Sequence, residues 1–591
     1  MGNHSARSVT VRLISLSLAA ALSGLPPNAL GQSKPAPQAS EARVKTAPRP
    51  KLVVMLVVDQ MRGDYVDRFR GQWSGGLKRL VDEGAWFHEA AYPYAATETC
   101  VGHATVSTGA LPASHGMIAN EWWDRDEQKN VTCTADAKAK NVAYGGAEVK
   151  GGDDATRLLM PAFADELKYQ AAAGARVFTL SLKARSAITL GGHSADAVTW
   201  FDGGSWVTSS AYPVSPFVEQ YVKAHPVSTD YGKTWAPSLD RSRYLYAETA
   251  VGAVPPPNYG AAFPHPLRGA ADSKGPDAAF YYQWATSPFA DAYLAEMGAF
   301  AVETLGLGKG PGIDYLGVSF SSVDYVAHTF GPRSWEIQDQ LAQLDRNLGR
   351  FFARLDKAAG RGNYVVALTG DHGGAPIPED MQKAGGDAGW INLQAVTERL
   401  EKALEEFGFA KPAVANVGGS DVYFAPGVYT KLKGDARAMH AAMDSLLSLP
   451  GVAHVYTAEE LDGRPATRDY IHASESNSFL KARSGDLLIV PKPFWEWDYS
   501  TAKSPRRYGT THGTPYYYDQ HVPILLMGWG IRHGEYFREV TPADIAPTLA
   551  ALCGIALAPR DGHVLHEAIE TSGETRPGPA PRLAVPPAGN R

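Results

Sequence analysis

The chain predicts an α/β fold: a doubly wound, mostly parallel sheet with helices on both faces, interrupted by a cap and an inserted subdomain. Three observations predict it. Continuous apolar, β-rich runs such as Lys51–Val58 read as central strands buried on both faces. These runs alternate with segments of helical periodicity, the order that builds parallel sheets. Several of the runs also end in a carboxylate or an imidazole, and the functional crevice of an open α/β sheet lies beyond the carboxyl ends of its strands.

Taken in order, Lys51–Val58 is the first strand and Gly75–Gly84 is compatible with the first helix. Further buried strands are expected at Val177–Leu182, Tyr315–Phe320 and Tyr364–Leu368, with helices at Ala162–Ala173, Phe289–Leu305, Trp335–Ala358 and Leu393–Phe407. Residues 200–285 break the rhythm. They are dense in Pro, Gly, Tyr and Trp and predict a cap over the site. Residues 390–480 carry their own helix, β-rich run and helix (Leu393–Phe407, Asp421–Phe424, Ala436–Leu447), which predicts an inserted subdomain before the chain returns to the core at Asp486–Val490. There is no internal repeat, no GxGxxG and no P-loop.

At 591 residues and 44% hydrophobic content the chain can bury a large core. Length alone suggests about four domains at roughly 150 residues each, but the strand pattern favours one catalytic domain over 51–570 with its two insertions. The balance of 56 basic against 62 acidic residues, a net −6, is too mild for a nucleic-acid binder. Residues 1–31 read as an export signal: Arg7 and Arg12, an apolar Leu13–Leu25 stretch, then small residues around Asn28–Gly31. That stretch is shorter than the ~20 residues needed to span a bilayer, so the mature protein is expected to be periplasmic or secreted and not stably inserted in a membrane. Residues 32–50 and 571–591, rich in Pro and Ala, predict a mobile leader and a disordered tail. Cys100, Cys133 and Cys553 leave at least one thiol unpaired, and Cys100 reads as a small buried side chain.

The chemistry gathers at strand ends. Asp59 follows the first strand, Asp371 and His372 follow Tyr364–Leu368, Asp324 and His328 follow Tyr315–Phe320, and His512 lies in a Thr-His-Gly-Thr-Pro-Tyr segment. Three carboxylates and three imidazoles exceed what one tetrahedral metal needs and suit two adjacent divalent ions, the arrangement of a metallohydrolase acting at phosphorus. Asp324 and His328, four apart, share one face of a helix and can grip one ion. Glycines 370, 373 and 374 suit a tight turn around Asp371 and His372. Thr97 and Thr99, ahead of a short helix at Ala104–Thr108, each offer a hydroxyl, and either could be an N-cap or a nucleophile. Lys183 and Arg185 end the Val177–Leu182 strand two apart, on one face if the segment stays extended, where a cation pair could hold a phosphoryl dianion.

With these residues the chain resembles the alkaline phosphatase superfamily, in its type I phosphodiesterase/nucleotide pyrophosphatase branch. It is most similar there to exported bacterial alkaline phosphatases with a threonine nucleophile. The motifs that carry the resemblance are Val-Val-Asp59-Gln-Met-Arg, Thr99-Cys-Val-Gly-His-Ala, Ile-Ala-Asn120-Glu-Trp-Trp-Asp, Ser-Leu-Lys183-Ala-Arg185, Asp324-Tyr-Val-Ala-His328, Thr-Gly-Asp371-His372-Gly-Gly and Thr-His512-Gly-Thr-Pro-Tyr. The resemblance implies two Zn2+ per chain, one held by Asp324, His328 and His512 and the other by Asp59, Asp371 and His372, with Thr99 reaching the second. It selects Thr99 over Thr97 as nucleophile and gives Asn120, Lys183 and Arg185 the phosphoryl group. It implies hydrolysis of small phosphate monoesters through a phosphothreonine intermediate; a monomer is expected, though the sequence does not fix the oligomeric state. Diesterase relatives lack the Lys-x-Arg pair, so its presence here favours monoesters, with a phosphodiesterase or phosphonate ester hydrolase on the same scaffold as the alternative reading. Cys100 stands where those relatives carry an aromatic residue. A sulfatase would need a C/S-x-P-x-R context that is absent around Cys100.

Overall fold

The computed structural model describes residues 49–170, 174–464, 466–501 and 508–570. The expected export signal, the leader through residue 48 and the tail from 571 lie outside the described residues. Among the described residues no helix is long and apolar enough to cross a membrane.

A ten-stranded sheet organises the chain, in the order Gly534–Tyr536, Ala85–Phe87, Ile524–Gly528, Tyr364–Thr369, Leu52–Val58, Asp314–Phe320, Val177–Ser181, Ala197–Asp202, Ser205–Ser209, Asn141–Ala143. The five strands from Tyr364–Thr369 to Ala197–Asp202 run parallel. Along Leu52–Val58 the alternation of a strand sorts the side chains between two cores. Leu52, Val54, Leu56 and Val58 join the core that holds the Pro288–Leu305 and Trp335–Leu355 helices. Val53, Met55 and Val57 join the core that holds the Ala184–Gly191 and Ile545–Cys553 helices. Both faces of the strand are therefore dry, which is why its sequence is uniformly apolar.

Register brings the strand ends level. Val58 pairs with Phe320, Val57 with both Thr369 and Ser319, and Ser319 with Ser181. The residues that follow, Asp59, Ser321, Gly370 and Leu182, therefore leave the sheet along one edge. Ile524–Gly528 lies antiparallel to Tyr364–Thr369 with Ile524 opposite Thr369, so the loop before it, which contains His512, approaches that same edge.

The predicted strands and helices hold within a few residues, and two expectations are corrected. The first concerns the run taken as the return to the core: Leu487–Pro491 pairs instead with Asp421–Phe424 and Val452–Thr457 in a separate four-stranded sheet. Its alternate residues face the subdomain's own core, where Leu487 and Ile489 meet Val396, Leu400 and Leu446, and an apolar run does not reveal which of two sheets it joins. The chain rejoins the central sheet at Ile524–Gly528. The second concerns 200–285, whose first residues finish one central strand and form the next. Much of the remainder is pinned to the outside of the Trp335–Leu355 helix. The buried Asp339 accepts from Trp235 Nε1 at 2.8 Å, from Ser238 N at 2.6 Å and from the Tyr244 hydroxyl at 2.7 Å.

Candidate active site

Thr99 is the first residue of a ten-residue helix, Thr99–Thr108, and is buried. The helix is mostly small and polar yet fully buried, because it is wedged against the Asp371 loop: a Cβ on Gly102 would stand 1.9 Å from the Asp371 carbonyl oxygen. Only glycine admits that approach. On the other side of the loop a Cβ on Gly373 would stand 2.1 Å from the Tyr518 carbonyl oxygen, so the Asp371-His372 turn is held between two segments.

The six residues predicted as metal ligands converge. Two groups bring three ligand atoms within 4.8 Å of one another: Asp324, His372 and His512, and Asp59, Asp371 and His372. His372 belongs to both. His328 lies at the Asp324 carboxylate, Nε2 to Oδ1 3.2 Å, with its ring 5.1 Å from that of His512. The trio of Asp324 and His512 thus holds His372 where the resemblance places His328.

Each imidazole is oriented by a backbone carbonyl at Nδ1. His328 Nδ1 bonds the Thr510 oxygen, His512 Nδ1 the Thr97 oxygen and His372 Nδ1 the Gly373 oxygen, all at 2.8 Å. A carbonyl only accepts, so the proton sits on Nδ1 and Nε2 keeps its lone pair for a cation. Burial holds His372 and His512 below the ordinary histidine range, which keeps both neutral. Asp59 shows the opposite stress. Burial, then the charges of Asp324 and Asp371, drive its carboxyl well above the usual range.

These residues fit divalent metal ions. Asp59 Oδ1, Asp324 Oδ1 and His372 Nε2 are buried without a hydrogen-bond partner, a costly state for polar atoms that cations would relieve. The donor set, carboxylate oxygens and neutral imidazole nitrogens, suits Zn2+ and other borderline divalent ions.

Lys183 and Arg185 depart from the expectation of two side chains on one face of a strand. The strand stops at Ser181, Lys183 precedes the helix Ala184–Gly191, and Arg185 is already in its first turn. Lys183 keeps an extended backbone, φ −117° and ψ 131°, whereas Arg185 lies in the helix, so the two do not share one strand face. Lys183 Nζ lies 2.6 Å from Asp59 Oδ2 and 2.6 Å from Asp324 Oδ2, bridging the two ligand groups. Burial opposes its charge, but Asp324 and Asp59 outweigh burial and hold the ammonium above its ordinary range. Arg185 Nη2 stands 3.5 Å from Thr99 Oγ1.

Thr97 and Thr99 part company here. Thr97 Oγ1 donates to the Thr514 carbonyl at 3.1 Å, a structural bond, whereas the Thr99 hydroxyl meets the Arg185 guanidinium. Asn120 lies close by: its Oδ1 accepts from Cys100 N at 2.9 Å, and its N–H donates to Glu98 Oε2 at 2.7 Å. Cys100 is not a free thiol. It is bridged to Cys133, while Cys553 stays free and buried.

Sequence reasoning missed His103. It is fully buried, with Nδ1 2.9 Å from the Thr99 oxygen and 3.1 Å from Asp371 Oδ2, and Nε2 2.8 Å from Ser319 Oγ. One ring thus ties the Thr99 helix to a predicted ligand. Its spacing of four from Thr99, one helical turn, was the available signal. Gln60 N, donating to Asp371 Oδ1 at 2.9 Å, was likewise unforeseen.

Comparison with known proteins places this geometry. Residues 53–515 match the family described as type I phosphodiesterase / nucleotide pyrophosphatase. Alkaline phosphatase PhoV of Synechococcus elongatus is 31% identical over 565 residues, 92% of this chain and 97% of its own. Alkaline phosphatase PafA of Elizabethkingia meningoseptica is 32% identical over 87% of this chain and 93% of its own. A crystal structure of wild-type alkaline phosphatase PafA superposes with a TM-score of 0.78 at 30% identity, covering 89% of this chain and all of that one.

Proposed function

Because the chain belongs to the type I phosphodiesterase / nucleotide pyrophosphatase family, and is similar over most of its length to proteins named alkaline phosphatase, we propose that it is an alkaline phosphatase hydrolysing phosphate monoesters at a two-zinc site through a phosphothreonine intermediate. The observation that carries the reading is the position of Thr99. Its hydroxyl opens a buried helix, beside Arg185 and against the loop of Asp371 and His372.

Asp324, His328, His372, His512, Asp59 and Asp371 would hold the metal ions. Bound there, two divalent cations neutralise the carboxylates, lower the pKa of a nearby hydroxyl and offset charge on the reacting phosphoryl oxygens. This chain's own groups do the rest. Thr99 Oγ forms a bond to phosphorus as the bond from phosphorus to the alcohol oxygen breaks, and water then displaces the threonine. The Arg185 guanidinium, beside the hydroxyl, is placed to bind phosphoryl oxygens. Asn120, with Oδ1 engaged by Cys100, keeps its Nδ2 protons for the same oxygens. The helix N-terminus at Thr99 adds favourable potential for the anion. His103, bonded to both Thr99 and Asp371, keeps nucleophile and ligand in register.

One observation favours keeping the phosphodiesterase alternative in view: the Lys183 ammonium lies on Asp59 and Asp324 rather than beside Thr99. In the monoesterase reading Lys183 turns to the phosphoryl group once cations occupy those carboxylates. Export to the periplasm or medium belongs to the same proposal. The Arg-flanked apolar amino terminus supports it, as does the Cys100–Cys133 bridge, a bond of oxidising compartments. The deciding experiment measures monoester and diester hydrolysis at matched leaving group on zinc-loaded protein, then maps phosphate on acid-quenched enzyme. Phosphate on Thr99 with monoester preference is expected. Diester preference would move the chain to the alternative, and phosphate elsewhere would remove Thr99.

A further inference from the structure

Beside the Thr99 helix the four-stranded subdomain meets the His512 loop around a cavity. Its wall includes Glu98, Asp421, Glu475, Trp497, Tyr499 and His512, and it offers about 40 Å³ to the centres of water-sized spheres. That is room for about three waters, the scale of a small ammonium head group. Glu98 directly precedes Thr99, and His512 belongs to one of the two ligand groups. An ester held at Thr99 therefore has this cavity as a neighbour. Among the described residues no lysine or arginine lines it.

Glu475 points to a ligand. Its side chain is 3% exposed, lines the cavity, and its carboxyl accepts no hydrogen bond and forms no ion pair. Glu98 and Asp421 each commit an oxygen to a backbone N–H, of Asn120 and Gly485 respectively. Burial pushes Glu475 up to about 8 and Asp421 to about 6, as expected of carboxyls short of positive charge. A bare metal ion is a poor match. Glu98, Asp421 and Glu475 do not form one of the groups whose ligand atoms gather within 4.8 Å. A wider organic cation can reach between them, and Trp497 and Tyr499 supply the aromatic surface on which alkylammonium groups are held.

We propose that this cavity is a subsite for the alcohol half of the substrate, and that it favours phosphate monoesters of amino alcohols, whose ammonium group meets Glu475 and Asp421. The proposal rests on the monoesterase reading and goes beyond it by naming a substrate class.

The test uses zinc-loaded full-length protein and two esters of similar shape, choline phosphate and 3,3-dimethylbutyl phosphate, whose alcohol half is neutral. The ratio of their kcat/KM values, choline ester over dimethylbutyl ester, should fall at least about tenfold in Glu475→Gln, and again on adding Asp421→Asn. Equal losses on both esters would overturn the subsite, as would an unchanged ratio. A measurement on the unaltered enzyme covers the case of a misfolded variant: choline should inhibit hydrolysis of the dimethylbutyl ester competitively, and 3,3-dimethylbutanol should not. Equal inhibition by the two alcohols would overturn the proposal. If Mg2+ or Ca2+ abolishes the choline inhibition without changing turnover, the cavity is a metal site and the amino-alcohol assignment falls. Hydrolysis of neither ester would instead count against the monoesterase reading itself.

Discussion

The backbone N–H of Cys100 donates to the Asn120 side-chain oxygen at 2.9 Å, which fixes the end of that amide turned away from the helix. The tie is double. Cys133, bridged to Cys100, donates its own N–H to the Asn120 carbonyl at 2.9 Å. Asn120→Ala should lower monoester kcat/KM by about 10- to 100-fold, since a hydrogen bond to a charged group is worth about 1.5–3 kcal/mol. Replacing both cysteines by serine should give a smaller loss and a lower melting temperature. Unchanged kinetics in the folded serine variant would mean that the bridge does not position Asn120.

The two threonines should separate cleanly. Thr99→Ala is expected to abolish turnover while metal content, read by elemental analysis, stays near the wild-type value. Thr97→Ala loses a neutral hydrogen bond to Thr514 and should cost about 1 kcal/mol of stability with most activity kept. The reverse pattern would transfer the nucleophile to Thr97.

In the proposed reading Lys183, which lies on Asp59 and Asp324, competes with metal for those carboxylates. Chelation should lower both activity and thermal stability, and zinc should restore them, because metal binding energy stabilises the native state. Lys183→Ala, which removes the competing ammonium, should hold zinc against a chelator at least as tightly as the parent does. Weaker retention would show that Lys183 supports the metal site rather than contesting it.

Arg185 touches the Thr99 hydroxyl and, among the described residues, forms no ion pair with a predicted carboxylate ligand. Arg185→Ala together with Lys183→Ala should reduce monoester kcat/KM by about 100-fold or more, with a smaller loss on diesters, which carry less charge for these cations to meet. Equal losses would remove the main argument for a monoesterase.

Asp291 supplies a pH test away from the ligands. Buried beneath the helix that bears Asp324, it accepts from Ser322 N at 3.2 Å and from Gln340 Nε2 at 2.9 Å, and burial raises its carboxyl to about 7. Between the unfolded value of about 4 and that point, the folded protein holds one more proton than the unfolded chain. This group therefore makes stability fall as pH rises through the window. Asp291→Asn lacks that loss, so its stability relative to wild type should improve between about pH 5 and about pH 8 in urea unfolding. A constant difference would show that Asp291 does not titrate there.

Much of the candidate site was legible because its carboxylates and imidazoles cluster where the strands end. Asp59 follows its strand directly, Asp371 and His372 come just after Gly370 at the end of theirs, and Asp324 and His328 announce themselves by helical spacing. What was not legible depends on packing at a distance. Nothing local in Lys183-Ala-Arg185 says that the strand has already ended, or that the lysine reaches carboxylates 124 positions before it and 141 after it. The destination of Leu487–Pro491 was hidden for a related reason, since two separate cores accept the same apolar run. The Cys100–Cys133 pairing was invisible because three cysteines permit three bridges and spacing does not choose among them.

The antiparallel strand Ile524–Gly528 is flanked by Ala85–Phe87 and Tyr364–Thr369, so a piece made after both of them fills the gap between two pieces made far earlier. Until it arrives, Ala85–Phe87 has no route to the rest of the sheet, and the loop carrying His512 has no anchor. The reaction centre is consequently a late product of the chain's own assembly. A ribosome-bound or partly translocated intermediate can own five of the six predicted ligands and still lack the enclosure that makes them a site.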